Sequence, residues 1–96
     1  TDVTGGASVR ALSLSQNWPN PFRGRTTLAY ALPSAQRVKL SLYDLQGREV
    51  RTLVDGEQPS GRYEVEITAK TLPTGVYFYR LQAGGQSLQK KLLLLR

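Results

Sequence analysis

Ninety-six residues, 40% hydrophobic and 21% charged, fit one domain with a modest core that buries about two-thirds of the surface of the unfolded chain. Cys, Met and His are all absent, which removes disulfides, thiol nucleophiles, histidine bases and the usual ligands of zinc, haem, copper and iron–sulfur sites. The net charge of +6 is scattered in runs no longer than Lys90-Lys91 and interleaved with acids, unlike the concentrated basic face of a nucleic-acid module.

No stretch approaches the roughly 20 apolar residues of a membrane span, so a soluble chain is expected. A sequence without Met is expected to be a piece of a longer protein, with any signal peptide lying upstream. Thr1 to Ala7, polar and carrying Gly5-Gly6, reads as a linker remnant. The domain itself is expected over 8–96.

A first, weakly phased strand is expected around Val9, Ala11 and Leu12 or Leu14. Asn17-Trp18-Pro19-Asn20-Pro21-Phe22 breaks it, because each proline removes an amide donor and extends the residue before it. A rigid corner follows, with Trp18 and Phe22 expected as its apolar plugs. Thr26 to Leu32 places Leu28, Tyr30 and Leu32 on one face. Arg37 to Tyr43 sends Val38, Leu40 and Leu42 inward and Arg37, Lys39, Ser41 and Tyr43 outward.

Asp44-Leu45-Gln46-Gly47 carries the preferred first and fourth residues of a type I turn. Glu49 to Val54 reads as a short strand and Asp55 to Gly61 as a polar loop. Arg62 to Thr68 alternates again, with Tyr63, Val65 and Ile67 inward and Glu64 and Glu66 outward. Leu72-Pro73-Thr74-Gly75 is a further turn. About seven short strands with no helical period predict an all-β fold, an immunoglobulin-like antiparallel β-sandwich without the Cys–Trp–Cys pattern of antibody domains.

The chain closes on a predicted hairpin. With Gly84-Gly85 as a two-residue turn, Leu81 opposes Leu88, Tyr79 opposes Lys90 and Tyr77 opposes Leu92. Strand side chains alternate between faces, so Leu92 to Leu95 cannot all enter one core. The face with Tyr77, Tyr79, Leu81, Leu92 and Leu94 is the better core candidate. The other leaves Val76, Phe78, Leu93 and Leu95 as an apolar patch edged by Lys91 and Arg96, unless a neighbouring loop covers it.

Catalytic chemistry finds little support. Glu64 and Glu66 stand roughly 7 Å apart on one strand, within reach of a glycosidase-like pair. They read better as a solvent-facing acidic row opposite basic residues. No Ser–Lys motif surrounds Lys39, Lys70, Lys90 or Lys91. No helix follows Gly84-Gly85 to make a phosphate loop, and no calcium motif supports Asp55 and Glu57. No catalytic residue, metal or cofactor is therefore expected, and the protein is not expected to be an enzyme. Trp18 and Tyr43 are the exposed aromatic candidates for a sugar-stacking platform.

Four segments carry a family resemblance. Gln16 to Phe22 resembles the "NYPNPF" opening of the C-terminal sorting domains of the type IX secretion system of certain Gram-negative bacteria, with Trp18 where Tyr is usual. Tyr43 to Val50 resembles the family's "YDxxGREV" segment, Leu72 to Leu81 its "LxxGVYFYRL" segment, and Lys90 to Leu94 its "KKLLL" end. The likeness spans about Leu12 to Arg96 in order and spacing.

That resemblance implies an immunoglobulin-like sandwich at the C-terminus of a secreted protein, serving as an address. Recognition is by outer-membrane secretion machinery, after the upstream cargo has reached the periplasm through a separate N-terminal signal. Many such domains are then cut off by a surface protease that passes the cargo to a lipopolysaccharide anchor; others stay on the surface. The immunoglobulin-like domain of the flagellar hook-capping protein is similar in fold. On this reading the partner-binding residues are Val76, Tyr77, Phe78, Arg80, Lys90, Lys91, Leu93, Leu95 and Arg96. Asn20, Pro21, Phe22, Asp44, Gly47 and Gly75 are structural. The alternative is a carbohydrate-binding or structural accessory module of a secreted glycoside hydrolase or protease.

Overall fold

The computed structural model describes residues 11–95. The linker expected at 1–7, the strand position Val9 and the patch residue Arg96 lie outside the described residues. Seven strands are described: β1 (Ser13–Leu14), β2 (Arg25–Leu32), β3 (Gln36–Tyr43), β4 (Glu49–Gln58), β5 (Gly61–Thr68), β6 (Gly75–Ala83) and β7 (Gln86–Leu94). They form two antiparallel sheets, ordered β1-β2-β5 and β4-β3-β6-β7. This three-plus-four arrangement is an immunoglobulin-like sandwich in which the fourth strand pairs with the third and the chain then crosses to the other sheet.

Alternation within the strands builds the core. Leu28, Tyr30, Leu32 and Ile67 from the first sheet meet Val38, Leu40, Leu42, Tyr79, Leu81, Leu92 and Leu94 from the second, all buried. The terminal hairpin has the expected register, with Leu81 opposite Leu88 and Tyr77 opposite Leu92. The four consecutive leucines divide accordingly: Leu92 and Leu94 are buried, and Leu93 and Leu95 are half-buried outside. Gly84 and Gly85 both take positive φ, +55° and +82°, the pair of left-handed residues a tight hairpin turn requires. A Cβ on Gly84 would also meet the end of the Gln36 side chain, which can swing aside, so the positive φ carries the cost. Gly84→Ala is accordingly expected to destabilise the domain by about 1–2 kcal/mol, read as a lower urea midpoint.

Two expectations need correction. The strand expected to stop at Val54 continues to Gln58, pairing with β3 as far as Gln36. The expected loop 55–61 shrinks to Pro59 and Ser60, because cross-strand partners such as Arg37 for Asp55, at 2.9 Å, keep polar residues in the ladder. The first strand is described at Ser13–Leu14, with Ala11 exposed.

Tyrosine hydroxyls tie the loops to the sandwich. Tyr77 and Tyr63 each donate to a proline carbonyl four residues upstream, Pro73 at 2.5 Å and Pro59 at 2.6 Å, the tyrosine-corner device of immunoglobulin-like folds. Tyr79, fully buried, donates to the Ser15 carbonyl at 2.6 Å, and burial pushes its phenol up to about 12. A folded-state value above the unfolded one favours folding at lower pH, and that contribution fades as pH rises through the folded value. Stability is therefore expected to fall between pH 10 and pH 12 by roughly 2 kcal/mol, and Tyr79→Phe should flatten that decline. Urea titrations at graded pH measure both.

Candidate functional site

The Asn17 to Phe22 corner packs along the outer edge of β7. Asn17, 2% exposed, donates its amide to Thr26 Oγ1 at 3.1 Å and to the Pro19 carbonyl at 3.2 Å. Asn20 Oδ1 accepts the Leu93 amide at 2.9 Å. Pro21 leads into Phe22, which is 1% exposed. The Phe22 N–H donates to the Leu93 carbonyl at 3.0 Å, and its carbonyl accepts from Leu95 at 2.9 Å. Gln16 reaches the Lys91 carbonyl at 2.7 Å. The motif thus satisfies the backbone of the final strand, whose edge would otherwise be a pairing template. Phe22 is a plug; Trp18, 80% exposed, is not. Its backbone pairs with Thr27 in both directions, and that pairing turns the indole to the outside of the three-stranded sheet.

The outer face of the four-stranded sheet collects most of the proposed contact residues. Cross-strand neighbours share a face, so Val76 lies beside Leu93, Phe78 between Tyr43 and Lys91, and Arg80 between Ser41 and Gln89. Val76, Phe78, Arg80, Leu93 and Leu95 are half-buried and Lys91 is exposed. Arg80 stacks over the Tyr43 ring at 4.8 Å and donates to Gln89 at 3.2 Å. Ser41, expected at the solvent, is 1% exposed and donates to Glu49 at 3.2 Å.

Two residues of the predicted set fall elsewhere. Tyr77 points into the core, is 5% exposed and spends its hydroxyl on Pro73; its parity opposes that of Val76 and Phe78, so it is withdrawn from the contact face. Lys90 is exposed but shares its face with Tyr79, opposite in sense to Lys91.

Sequence reasoning missed Leu45 and Val50, which are 63% and 39% exposed. Leu45 stands on the turn between β3 and β4. A groove of about 450 Å3 runs from Leu45 and Val50 past Pro73 to Val76. A smaller hollow of about 200 Å3 joins Leu45 to Tyr43, Phe78 and Arg80. An apolar residue inside a polar turn sequence was the available signal. The apolar surface therefore extends around the end of the sheet, beyond the hairpin.

The turn holding Leu45 is rigid for a local reason. Asp44 Oδ1 accepts the Gln46 and Arg48 amides at 2.9 and 3.0 Å, and Oδ2 accepts Arg48 Nε at 3.0 Å. Gly47 closes the turn onto the Asp44 carbonyl at φ +85°, a conformation glycine adopts without the Cβ clash. The Arg48 amide, chiefly, with the Arg48 side chain and the Gln46 amide holds the Asp44 carboxyl below its ordinary 3.8. Depressed in the folded state, it favours folding above that ordinary value and ceases to as pH falls through its folded value. The turn is expected to loosen below about pH 4, visible as loss of amide-exchange protection at Gln46 and Arg48, with Asp44→Asn lacking that transition. Glu49 is held low chiefly by the Thr52 hydroxyl, and also by Lys39 at 3.3 Å. The acids near the patch are thus committed, and among the described residues no carboxylate pairs with Lys91 or Arg80. Gly75 opens β6 opposite Leu94.

The remaining candidates are dispersed. Glu64 and Glu66 are exposed on β5 at the edge of the other sheet, Glu66 lying 3.6 Å from Arg25. Asp55 is paired to Arg37. Among the described residues no three acidic side chains converge on a metal site, and no helix is long and apolar enough to cross a membrane.

Fold and surface together define an immunoglobulin-like module that presents an apolar, basic-rimmed sheet face. The family model of the secretion system C-terminal sorting domain matches residues 16–95, and the chain belongs to that family. It is a sorting signal for type IX secretion, which implies a cargo fused upstream, contact with the secretion machinery and export from the cell. No curated protein and no solved structure matches the chain.

Proposed function

We propose that this domain is recognised through the outer face of its four-stranded sheet and performs no chemistry of its own. Val76, Phe78, Leu93 and Leu95 supply the apolar centre, extended by Leu45 and Val50. Lys91 and Arg80 supply a cationic rim that favours a partner with acidic groups around an apolar contact. The observation that carries this reading is the division of the final leucines, two inward and two outward. The inward pair fixes the strand, so the outward pair meets the machinery on a rigid surface with little ordering cost. The route runs through the periplasm to the outer membrane, and the cargo is then released or attached at the surface, with removal of the domain by a surface protease.

The experiment fuses residues 1–96 to a reporter behind an inner-membrane signal, in a host that has the type IX system. Reporter at the surface or in the medium is expected. Reporter held in the periplasm, with the domain folded, would overturn the reading.

A further inference from the structure

The outer face of the other sheet carries a separate feature. Its central strand, β2, presents Thr27, Ala29 and Ala31 between two rows of larger or more polar residues. Along one side run Trp18, Ser15 and Ser13, placed by the Trp18–Thr27 bridge, the Ser15 amide bond to Ala29 at 2.8 Å and the Ser13–Ala31 pair. Along the other run Glu66, Glu64 and Arg62, opposite Thr27, Ala29 and Ala31. The small floor leaves a depression of about 270 Å3 bounded by Ser13, Ser15 and Arg62. The hollow lies over Ala29 and Ala31, and Thr27 with Trp18 continues the same outer face beyond it, about 14 Å of strand from Thr27 to Ala31.

We propose that this trough binds an extended, neutral glycan chain. Trp18 provides the anchor. It is 80% exposed, yet its backbone is held by reciprocal bonds to Thr27 at 2.8 and 3.1 Å, so the indole rises from a fixed root. An aromatic face carries partial negative charge and attracts the weakly positive C–H edge of a sugar ring. Ser15 Oγ accepts the Ala29 amide at 2.8 Å and keeps its hydroxyl hydrogen to donate, and the Ser13 hydroxyl and the Glu64 carboxylate on the rows suit sugar hydroxyls as donor and acceptor.

Charge selects against other ligands. Arg25 and Arg62 balance Glu64 and Glu66 on this face, although the chain as a whole is +6. An anionic lipid or nucleic acid finds no excess of cations there. A peptide gains no strand pairing from β2, whose two edges are taken by the Ser13 to Trp18 segment and by β5. Tyr43, the other aromatic expected at a sugar platform, lies on the opposite sheet beneath Arg80.

The site is independent of the sorting face, and its test needs no secretion. Trp18 is the sole tryptophan, so its fluorescence reports on the trough directly. Cellohexaose, xylohexaose and mannohexaose at millimolar concentration are the probes, with acrylamide as quencher. At least one is expected to shift the emission to the blue and lower the quenching constant about twofold. Ala29→Arg, which fills the floor, should weaken that binding about tenfold with unchanged circular dichroism. If that variant does not fold, Glu64→Ala, at an exposed edge position, should weaken it by a similar factor. No protection by any of the three sugars would overturn the proposal. So would protection that survives the folded variants, or stronger protection by anionic phospholipid vesicles than by the sugars.

Discussion

Phe22→Ala is expected to cost about 3–5 kcal/mol of stability, a large part of the roughly 5–15 kcal/mol of a domain this size. The ring is 1% exposed among the core side chains, and its backbone bonds both Leu93 and Leu95. Removing it opens a cavity and also frees the corner that seals the edge of β7. Melting temperature should fall by about 12–40 °C at about 4–8 °C per kcal/mol, followed by circular dichroism. Trp18→Ala, at the exposed end of the same motif, should change stability by no more than about 0.5 kcal/mol. Equal effects from the two substitutions would contradict the account of the corner.

The second large effect is on export. The double variant Phe78→Asp, Leu93→Asp should keep its fold, since both side chains lie outside the core and outward strand positions tolerate exchange within about 1 kcal/mol. Hot-spot losses of about 2 kcal/mol or more should weaken docking at least thirtyfold, roughly, and leave the reporter in the periplasm. Lys91→Glu should act in the same direction, more strongly at low salt, because rim charges act mainly on encounter. Deleting residues 90–96 is a poorer test. It removes Leu92 and Leu94 from the core and abolishes the contacts of Gln16, Asn20 and Phe22 with the last strand, so lost export would follow from unfolding alone. Export by the folded double variant at the parental level would refute the assignment of this face.

Much of the architecture was legible along the chain. The period-two pattern of Val38, Leu40 and Leu42 placed three buried side chains on one side of β3. Gly84-Gly85 set the register of the last hairpin, because a two-residue turn leaves one pairing and the pairing decides every side-chain direction. That register alone required the final leucines to part into two pairs. The four motifs likewise pointed to the sorting-domain family.

Other decisions belong to the tertiary structure, because local pattern assigns residues to a common side without saying what covers that side. Trp18 and Phe22 flank the same prolines with similar hydrophobicity, and only pairing with β2 and β7 sends one outward and the other inward. Tyr77 stands in the sequence both on the core face of the hairpin and among the contact residues, and the packing decides for the core, with Pro73 taking its hydroxyl. The polar residues from Asp55 to Gln58 look like a loop until β3 supplies their partners. Leu45 and Val50 become one surface with Val76 only when the turn after β3 folds next to the start of β6. Sequence by itself determined which residues face together; which faces meet water, and so can meet a partner, was decided by how the two sheets stack.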